Sequence, residues 1–233
     1  TMWITRISKS LFAGPGGLGE GFASLTGERG KPRFDSVVAI ERDEFSHQTL
    51  LLRHFLRRFP SDALPDDHYR FLRGEIDRSE LYRRHKVEFE EASKSALRIS
   101  LGPEAHATVK RLINRRIGSH ERWALVGGPP CQAYSLVGRS RMMGRPEFEQ
   151  DERHFLYLEY LKIIIDHRPP VFVMENVKGL LSAKIDGKPV INRIVSDLTS
   201  PKRAVRNAEN GLGYTLYSLS EDEKPGEEVD PRL

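Results

Sequence analysis

The chain has 233 residues, enough for one domain with a sizeable core, and its 38% hydrophobic and 30% charged content is typical of a folded globular protein. No apolar run reaches the roughly 18–20 residues that a membrane span needs, so we expect no membrane partner. The formal charge of +4 permits a polyanionic partner, and the single cysteine excludes both an intramolecular disulfide framework and a multi-cysteine metal site.

Short apolar runs alternate with amphipathic segments along the chain, which indicates an α/β domain with a mostly parallel sheet. Each predicted strand is short, apolar and bounded by glycine, proline or charged residues. The predicted strands are Ser8–Ala13, Phe34–Glu41, Tyr69–Ile76, Arg122–Gly127 and Pro170–Glu175. Apolar residues at helical spacing predict helices near residues 45–59, 158–165 and 190–198.

Residues 79–120 are too many for a simple connection between two strands. Apolar residues from Tyr82 to Ile99 share one helical face, Gly102 suits the end of that helix, and Pro103 suits the first turn of a second. We interpret the segment as a helical hairpin inserted beside the sheet, with its arginine clusters on a solvated face. Tyr214–Leu219 alternates like a strand, and residues 220–232 are predicted to be an acidic loop. We expect the whole chain, 1–233, to form one domain.

A glycine-rich segment, Phe12-Ala13-Gly14-Pro15-Gly16-Gly17-Leu18-Gly19, follows the first predicted strand. Glycines allow the backbone to turn sharply and approach a ligand, and the start of the next helix offers free N–H groups. The spacing also fits the dinucleotide pattern G-x-G-x-x-G, and Glu41 ends the second strand where a carboxylate can reach a ribose hydroxyl. The pattern indicates a nucleotide-like ligand, either NAD or S-adenosylmethionine (SAM). A turn that simply needs small residues is the alternative.

The only cysteine lies in Gly127-Gly128-Pro129-Pro130-Cys131-Gln132, directly after the fourth predicted strand. That position puts Cys131 at the edge of the sheet where α/β proteins bind ligands, and the two prolines stiffen the backbone before it. An inert, buried cysteine is the usual alternative, but a rigid polar loop is an unusual place for a core residue. A lone thiol also suits a reducing compartment, so we expect a cytoplasmic protein.

The fifth predicted strand ends in a carboxylate, in Phe172-Val173-Met174-Glu175-Asn176-Val177. An acid at the carboxyl end of a parallel strand faces the same ligand-binding edge as Cys131. Glu175 therefore lies beside the cysteine loop if the two strands are neighbours. The alternative is a solvated carboxylate at a strand end.

These three motifs, in this order, resemble the cytosine-C5 DNA methyltransferase family, whose patterns are F-x-G-x-G-G, P-C-Q and E-N-V. The resemblance runs from about Ser8 to Leu181. It implies a Rossmann-like SAM-dependent methyltransferase fold, with a mostly parallel sheet flanked by helices and lacking the C-terminal recognition domain. It also implies that Cys131 is the nucleophile and Glu175 the acid. The implied SAM-binding residues are Phe12, Ala13, Gly14, Gly16, Gly17, Glu41, Arg42, Glu75, Ile76, Pro129 and Leu156.

The substrate implied by the resemblance is a cytosine flipped out of DNA, because C6 cannot be reached inside a duplex. The loop after Cys131 is then the DNA contact, through Gln132, Ser135, Arg139, Arg141 and Arg145. The chain departs from the family at Ser10, where an acid is common, and at Glu75, where the family has the shorter aspartate of G-D-I.

A larger departure is that the family's Q-x-R-x-R segment, target-recognition region and closing helix are missing from these residues. We therefore expect either a second polypeptide that carries them or a shortened protein, and little activity from this chain alone. Other readings stay open. They are a non-catalytic SAM-binding scaffold, an RNA cytosine-C5 methyltransferase, and an NAD-dependent oxidoreductase, which would leave Cys131 and Glu175 without a role. Restriction–modification and phage defence both suit the family.

Overall fold

A computed structural model describes residues 8–27, 32–118, 122–128, 156–175, 184–185, 188–201 and 212–219. The strands are β1 (Ser8–Leu11), β2 (Ser36–Glu41), β3 (Ala96–Arg98), β4 (Ala124–Gly127), β5 (Val171–Met174), β6 (Lys184–Ile185) and β7 (Lys188–Pro189). The helices are α1 (Gly17–Ser24), α2 (Glu44–Leu56), α3 (Asp66–Leu72), α4 (Arg78–Arg84), α5 (Lys86–Ser93), α6 (Pro103–Ile117), α7 (Leu156–His167) and α8 (Val190–Thr199). Across these described ranges, no helix is both long and apolar enough to cross a membrane.

The main sheet has the strand order β3-β2-β1-β4-β5. Strand β1 runs parallel to both β2 and β4, and β2 runs parallel to β3, as the mostly parallel prediction required. The register pairs Leu11 with Ile40 on one side and with Gly127 on the other. After β3, the chain returns to the opposite side of β1 to form β4. Such a switch point opens a crevice at the carboxyl ends of the strands, where sheets of this type bind ligands.

The prediction of a strand at Tyr69–Ile76 is wrong, because Asp66–Leu72 forms helix α3. Pro65 precedes this helix, and Asp66 and Asp67 lie in its first turn, where carboxylates interact favourably with the helix dipole. These start signals outweigh the β propensity of the aromatic residues that follow. The strand that pairs with β2 is instead β3, with Glu41 opposite Arg98.

The helix predicted from Tyr82 to Ile99 is also wrong in its second half. The region instead forms α4 and α5, which are separated at His85. Helix α5 ends at Ser93, and the residues that follow form β3, which pairs with β2. The hydroxyls of Ser93 and Ser95 donate to the carbonyls of Phe89 and Ala92, competing with the helical pattern near its end. The second predicted helix is confirmed as α6, which begins at Pro103. Residues 79–120 therefore contain a strand of the sheet and are not purely helical.

Internal contacts divide the chain into two compact units. The first comprises Thr1–Ser100, Arg115–Gly127 and Val171–Val173, and the second comprises Leu101–Asn114, Gly128–Pro170 and Met174–Leu233. In the first unit, burial of the β2 and β4 side chains forms the core of the sheet; Val38, Ala39, Ile40, Leu125 and Val126 are each at most 1% exposed. Removing this apolar surface from water is the main term that stabilises the unit.

A second cluster in the first unit forms on the outer side of α2. Phe55, Leu81 and Ala92 are fully buried there and join α2, α4 and α5. The ring of Phe55 makes edge contacts with Phe59 and Tyr82, at centroid distances of 5.3 and 5.1 Å. The helices α2, α4 and α5 lie between β2 and β3 in the sequence, and each is too short to be stable alone. Their contacts in this cluster stabilise them.

Two histidines of α2 hold the start of β3. Nε2 of His47 donates to the carbonyl of Ala96 at 3.3 Å, and Nδ1 of His54 lies 2.8 Å from the hydroxyl of Ser95. Burial lowers the pKa of His54 to about 3, and the nearby charges of Arg57 and Arg58 act in the same direction. His54 is therefore neutral at physiological pH.

In the second unit, α6 and α7 are joined by an ion-pair cluster. Asp166 accepts from Nε2 of His106 at 2.7 Å and from Nζ of Lys110 at 2.6 Å. Residues 212–219 do not form the predicted strand, although half-buried and exposed side chains alternate along them. Tyr214 fixes this segment, donating its N–H to Thr199 and its hydroxyl to the carbonyl of Pro169. The predicted acidic loop, 220–232, lies outside the described residues.

Two phenylalanines of α2 give a matched test of the outer cluster. Phe55→Ala should lower the free energy of unfolding by about 3–5 kcal/mol, because it leaves a cavity among buried rings. Phe45, which is 77% exposed, is the control, and Phe45→Ala should change stability by about 0.5 kcal/mol or less. Denaturant unfolding measures both, and equal effects would contradict this description of the cluster.

Burial of neutral His54 predicts a pH dependence of stability. Its pKa in the folded protein, about 3, lies below its value of roughly 6.5 in the unfolded chain, so the unfolded chain binds more protons between these values. Stability is complete above pH 6.5 and falls with acidification, by about 2 kcal/mol between pH 7 and pH 5. His54→Gln should remove this contribution. The measurement is the free energy of unfolding of both proteins between pH 7 and pH 5, and an equal decrease in the two would refute the prediction.

Candidate active site

The loop between β1 and α1 has an unusual backbone. Phe12, Gly14 and Gly16 adopt positive φ angles of 53°, 55° and 93°. At Gly16 a side chain is also excluded by space, because an added Cβ would lie 2.8 Å from Cδ1 of Leu50. The strained conformation of Phe12 costs on the order of 1 kcal/mol or more, and such strain is found most often at functional sites.

The loop leads directly into a helix start that can bind a ligand. Gly16 caps α1 without a side-chain hydrogen bond, so the first N–H groups of the helix are not satisfied by a capping side chain. The loop is attached to β2 through the N–H of Ala13, which donates to the carbonyl of Ile40 at 2.9 Å. Gly17, the first residue of α1, is exposed. The arrangement is suited to an anionic or polar ligand.

Glu41, the last residue of β2, organises the backbone around this loop. Its Oε2 accepts the N–H of Gly14 at 2.7 Å, and its Oε1 accepts the N–H groups of Arg42 at 2.8 Å and Asp43 at 2.7 Å. A carboxylate has about four acceptor positions, so Oε2 keeps capacity for a further donor such as a ribose hydroxyl. Glu41 thus bonds to the glycine loop, and its contact with a ribose stays a prediction.

The same edge continues onto β3. The N–H of Ile99, the residue after β3, donates to the carbonyl of Glu41 at 3.1 Å, and Arg98 pairs with Glu44 at 3.1 Å. Asp43 caps α2 by accepting the N–H of Ser46, and this hydrogen bond lowers the pKa of Asp43. The carboxyl ends of β2 and β3 are therefore joined beside the loop.

Glu75 and Ile76 do not occupy the position that the resemblance implied for them. They follow helix α3, not a strand. Glu75 pairs with Arg73 at 2.6 Å and with Arg70 at 3.3 Å, and the hydrogen bond from Arg73 lowers the pKa of Glu75. Ile76 packs against the outer cluster of α2. Their contact with a cofactor stays a prediction without support from their surroundings.

In the second unit, Gly128 and Glu175 lie against each other. A Cβ added to Gly128 would be 3.3 Å from the main-chain oxygen of Glu175 and 3.8 Å from its Oε2. Glu175 directly follows β5 and is exposed, so its carboxylate is accessible to a ligand. Gly128 is three residues before Cys131. The expected neighbourhood of Glu175 and the start of the cysteine loop is therefore present.

Other predicted residues divide into two groups. Leu156 is the half-buried first residue of α7, and its contact with a cofactor stays a prediction. The remaining seven predicted site residues lie outside the described ranges: Pro129, Cys131, Gln132, Ser135, Arg139, Arg141 and Arg145. Within the described ranges, no three His, Cys, Asp or Glu side chains gather as metal ligands.

Two residues of this edge were not predicted as part of the site. Gly128 was recognisable only as part of the motif before Cys131, although a glycine beside the motif's prolines was a usable signal. Ile99 had no such signal, because its position depends on β3 pairing with β2.

Comparison with known proteins shows similarity to DNA methyltransferases. The family model described as C-5 cytosine-specific DNA methylase matches residues 104–201. The Type II methyltransferase M.Bpa9945I of Bacillus paralicheniformis is 29% identical over 239 residues, which covers 94% of this chain and 48% of the relative. The Type II methyltransferase M.AquIA of Picosynechococcus is 30% identical over 213 residues, which covers 91% of this chain and 64% of the relative.

A third relative matches a shorter stretch. The Type II methyltransferase M.BsuRI of Bacillus subtilis is 38% identical over 99 residues, which covers 42% of this chain and 20% of the relative. The chain thus spans about half to two thirds of the length of the first two relatives. No solved structure matches the chain.

Glu41→Gln tests the role of the carboxylate in holding the loop. An amide oxygen accepts more weakly than a carboxylate, so the N–H groups of Gly14, Arg42 and Asp43 should lose about 1–2 kcal/mol of protection. That corresponds to roughly 5- to 30-fold faster hydrogen exchange at these amides. Glu44→Gln, at an exposed acid paired with Arg98, is the control, and equal exchange in both variants would contradict the assignment.

Proposed function

Since the chain belongs to the C-5 cytosine-specific DNA methylases, we propose that it forms the SAM-binding and catalytic part of an enzyme that methylates cytosine C5 in DNA. The observation that carries this proposal is the contact of Glu175 with Gly128, at the start of the loop that bears Cys131. It supports a shared site for the proposed acid and nucleophile.

The residues of the first unit fit SAM. Glu41 retains an acceptor position for a ribose hydroxyl, and the start of α1 offers N–H groups for the carboxylate of the methionine part. Phe12, Ala13, Gly14, Gly16, Gly17 and Arg42 belong to these two backbone segments, and we propose that they line the cofactor. Pro129 and Leu156 are proposed on the resemblance alone. When bound, SAM supplies a methyl group on a positively charged sulfur, ready for transfer to a nucleophilic carbon.

Cytosine C5 becomes nucleophilic only after addition at C6. In the proposed reaction the Cys131 thiolate forms a carbon–sulfur bond with C6, and the electrons of the C5–C6 double bond move to C5 and the ring. Glu175 hydrogen-bonds N3 and the exocyclic amine, stabilising the charge that develops there. Once C5 carries the methyl group, a base takes the C5 proton. The electron pair left behind restores the double bond and expels the Cys131 thiolate.

The proposed substrate is a cytosine flipped out of DNA. Gln132, Ser135, Arg139, Arg141 and Arg145, on the loop that follows Cys131, are the proposed DNA contacts, since arginines bind phosphates and a loop of this kind can close over a flipped base. We propose that target recognition requires sequence beyond these 233 residues, in the same protein or in a second polypeptide. Restriction–modification is the biological setting that the Type II relatives favour.

Covalent trapping tests the proposed reaction. DNA containing 5-fluorocytosine should form a stable adduct with the complete protein in the presence of SAM, because fluorine cannot leave C5 as a proton does. Cys131→Ser should abolish the adduct, and Glu175→Gln should slow its formation about 100-fold or more, the usual effect of losing an acid–base group. Mass spectrometry of the protein–DNA product measures both.

The outcomes separate the alternatives. An adduct that persists in Cys131→Ser would refute the proposed nucleophile. An adduct with RNA but not DNA would indicate an RNA methyltransferase. SAM binding without any adduct in the complete protein would favour a non-catalytic module, whereas methyl transfer by the isolated chain would contradict the need for further sequence.

A further inference from the structure

A side chain at position 128 would be crowded against Glu175. An added Cβ would lie 3.3 Å from the main-chain oxygen of Glu175, 3.5 Å from its Cβ and 3.8 Å from its Oε2. The shortest of these distances is tighter than ordinary van der Waals contact. It involves a main-chain atom, which cannot avoid the contact by a change of rotamer. A methyl group at position 128 therefore displaces either Glu175 or the start of the cysteine loop.

Backbone conformation does not explain why residue 128 is a glycine. The φ angle of Gly128 lies outside the left-handed region, unlike those of Gly14 and Gly16. Other amino acids could adopt its backbone, so what excludes a side chain is the space taken by Glu175. Gly102 provides a contrast, because it also has no positive φ but has nothing within 4 Å of an added Cβ.

We propose that Gly128 is a positioning residue, whose missing side chain allows Glu175 to approach the start of the loop that carries Cys131. This inference rests on the proposed function, in which Glu175 is the acid and Cys131 the nucleophile. Both contacting residues lie in the second compact unit. The position of the proposed acid is thus set by its main-chain contact with Gly128, three residues before Cys131 in the sequence.

A small displacement is enough to affect catalysis. The methyl group of an alanine requires a shift of a few tenths of an ångström at Glu175 or at residue 128. Misplacement of a catalytic group by about 1 Å can cost on the order of 100-fold in rate. We expect Gly128→Ala to slow the reaction by roughly 10-fold. SAM affinity should change much less than the rate, because the glycine loop and Glu41, which carry most of the proposed cofactor contacts, are unaltered.

The experiment compares Gly128→Ala with Gly102→Ala in the complete protein. Single-turnover methylation and 5-fluorocytosine trapping report the rate, and calorimetric titration with SAM reports cofactor affinity. The expected result is a slower reaction with a much smaller change in SAM affinity for Gly128→Ala, and wild-type values for Gly102→Ala. A wild-type rate in Gly128→Ala, or weaker SAM binding that accounts for its slower rate, would overturn the inference.

A double-mutant cycle shows whether Gly128 acts through Glu175. In a Glu175→Gln background the cost of Gly128→Ala should shrink to less than about twofold, because the group being positioned is already disabled. A general structural defect would slow both backgrounds by the same factor. That result would also overturn the inference.

Crystal structures and unfolding measurements distinguish a failure of this inference from a failure of the proposed function. If the wild type traps no cytosine, the proposed function fails, while crystal structures of wild type and Gly128→Ala still test the displacement of Glu175. If Gly128→Ala does not fold, thermal unfolding of Gly128→Ala/Glu175→Gly decides. Glycine at position 175 removes the 3.5 Å contact with Cβ and gives the main chain more freedom to move its oxygen away from the added methyl group, so folding should recover. Failure to recover it would overturn the contact as the cause.

Discussion

The hydrogen bonds of the Glu41 carboxylate are the interactions on which the edge formed by the carboxyl ends of β1 and β2 depends. The carboxylate accepts three main-chain N–H groups, one from the glycine loop and two from the start of α2, so the ends of β1 and β2 are fixed to each other by one side chain. Within the loop the N–H of Gly16 donates to the carbonyl of Ala13, but the N–H groups of Gly14, Arg42 and Asp43 are bonded by Glu41, and a charged acceptor can satisfy several such groups at once. The strained backbone at Phe12 and the glycine at position 16 belong to the same arrangement. The conformation of the loop is therefore held by contacts within the protein itself.

Sequence reasoning succeeded where the signal is local. Strands near Ser36, Ala124 and Val171 were recognisable from short apolar runs, and α2, α6 and α8 from apolar residues at helical spacing. Glu41 could be assigned because a strand end and a glycine loop lie at a known separation. The motifs around Cys131 and Glu175 likewise needed only residue order; both lie within residues 104–201, which match the family model, and the roles of the two residues stay predictions.

Sequence reasoning failed at the third strand, because the interactions that form this strand join residues that are far apart in the sequence. Strand β3 has only three residues, too few to give a recognisable alternation, and it forms because β2 offers hydrogen-bonding partners. The aromatic residues of 69–76 looked more like a strand. The contact of Gly128 with Glu175 could not be predicted for a similar reason, since no local rule gives the distance between the ends of two strands.

The crossover from β2 to β3 has a consequence for the order of folding. Residues 42–95, with helices α2 to α5, separate two strands that lie side by side in the sheet. Closing so long a segment costs chain entropy before the strand pairing can offset it. The outer cluster around Phe55 lowers that cost if it collapses first, because it brings α5, and with it Ser95, close to α2. We therefore expect the helices to behave as a nucleus and the β3 edge to join a sheet that has already begun to form.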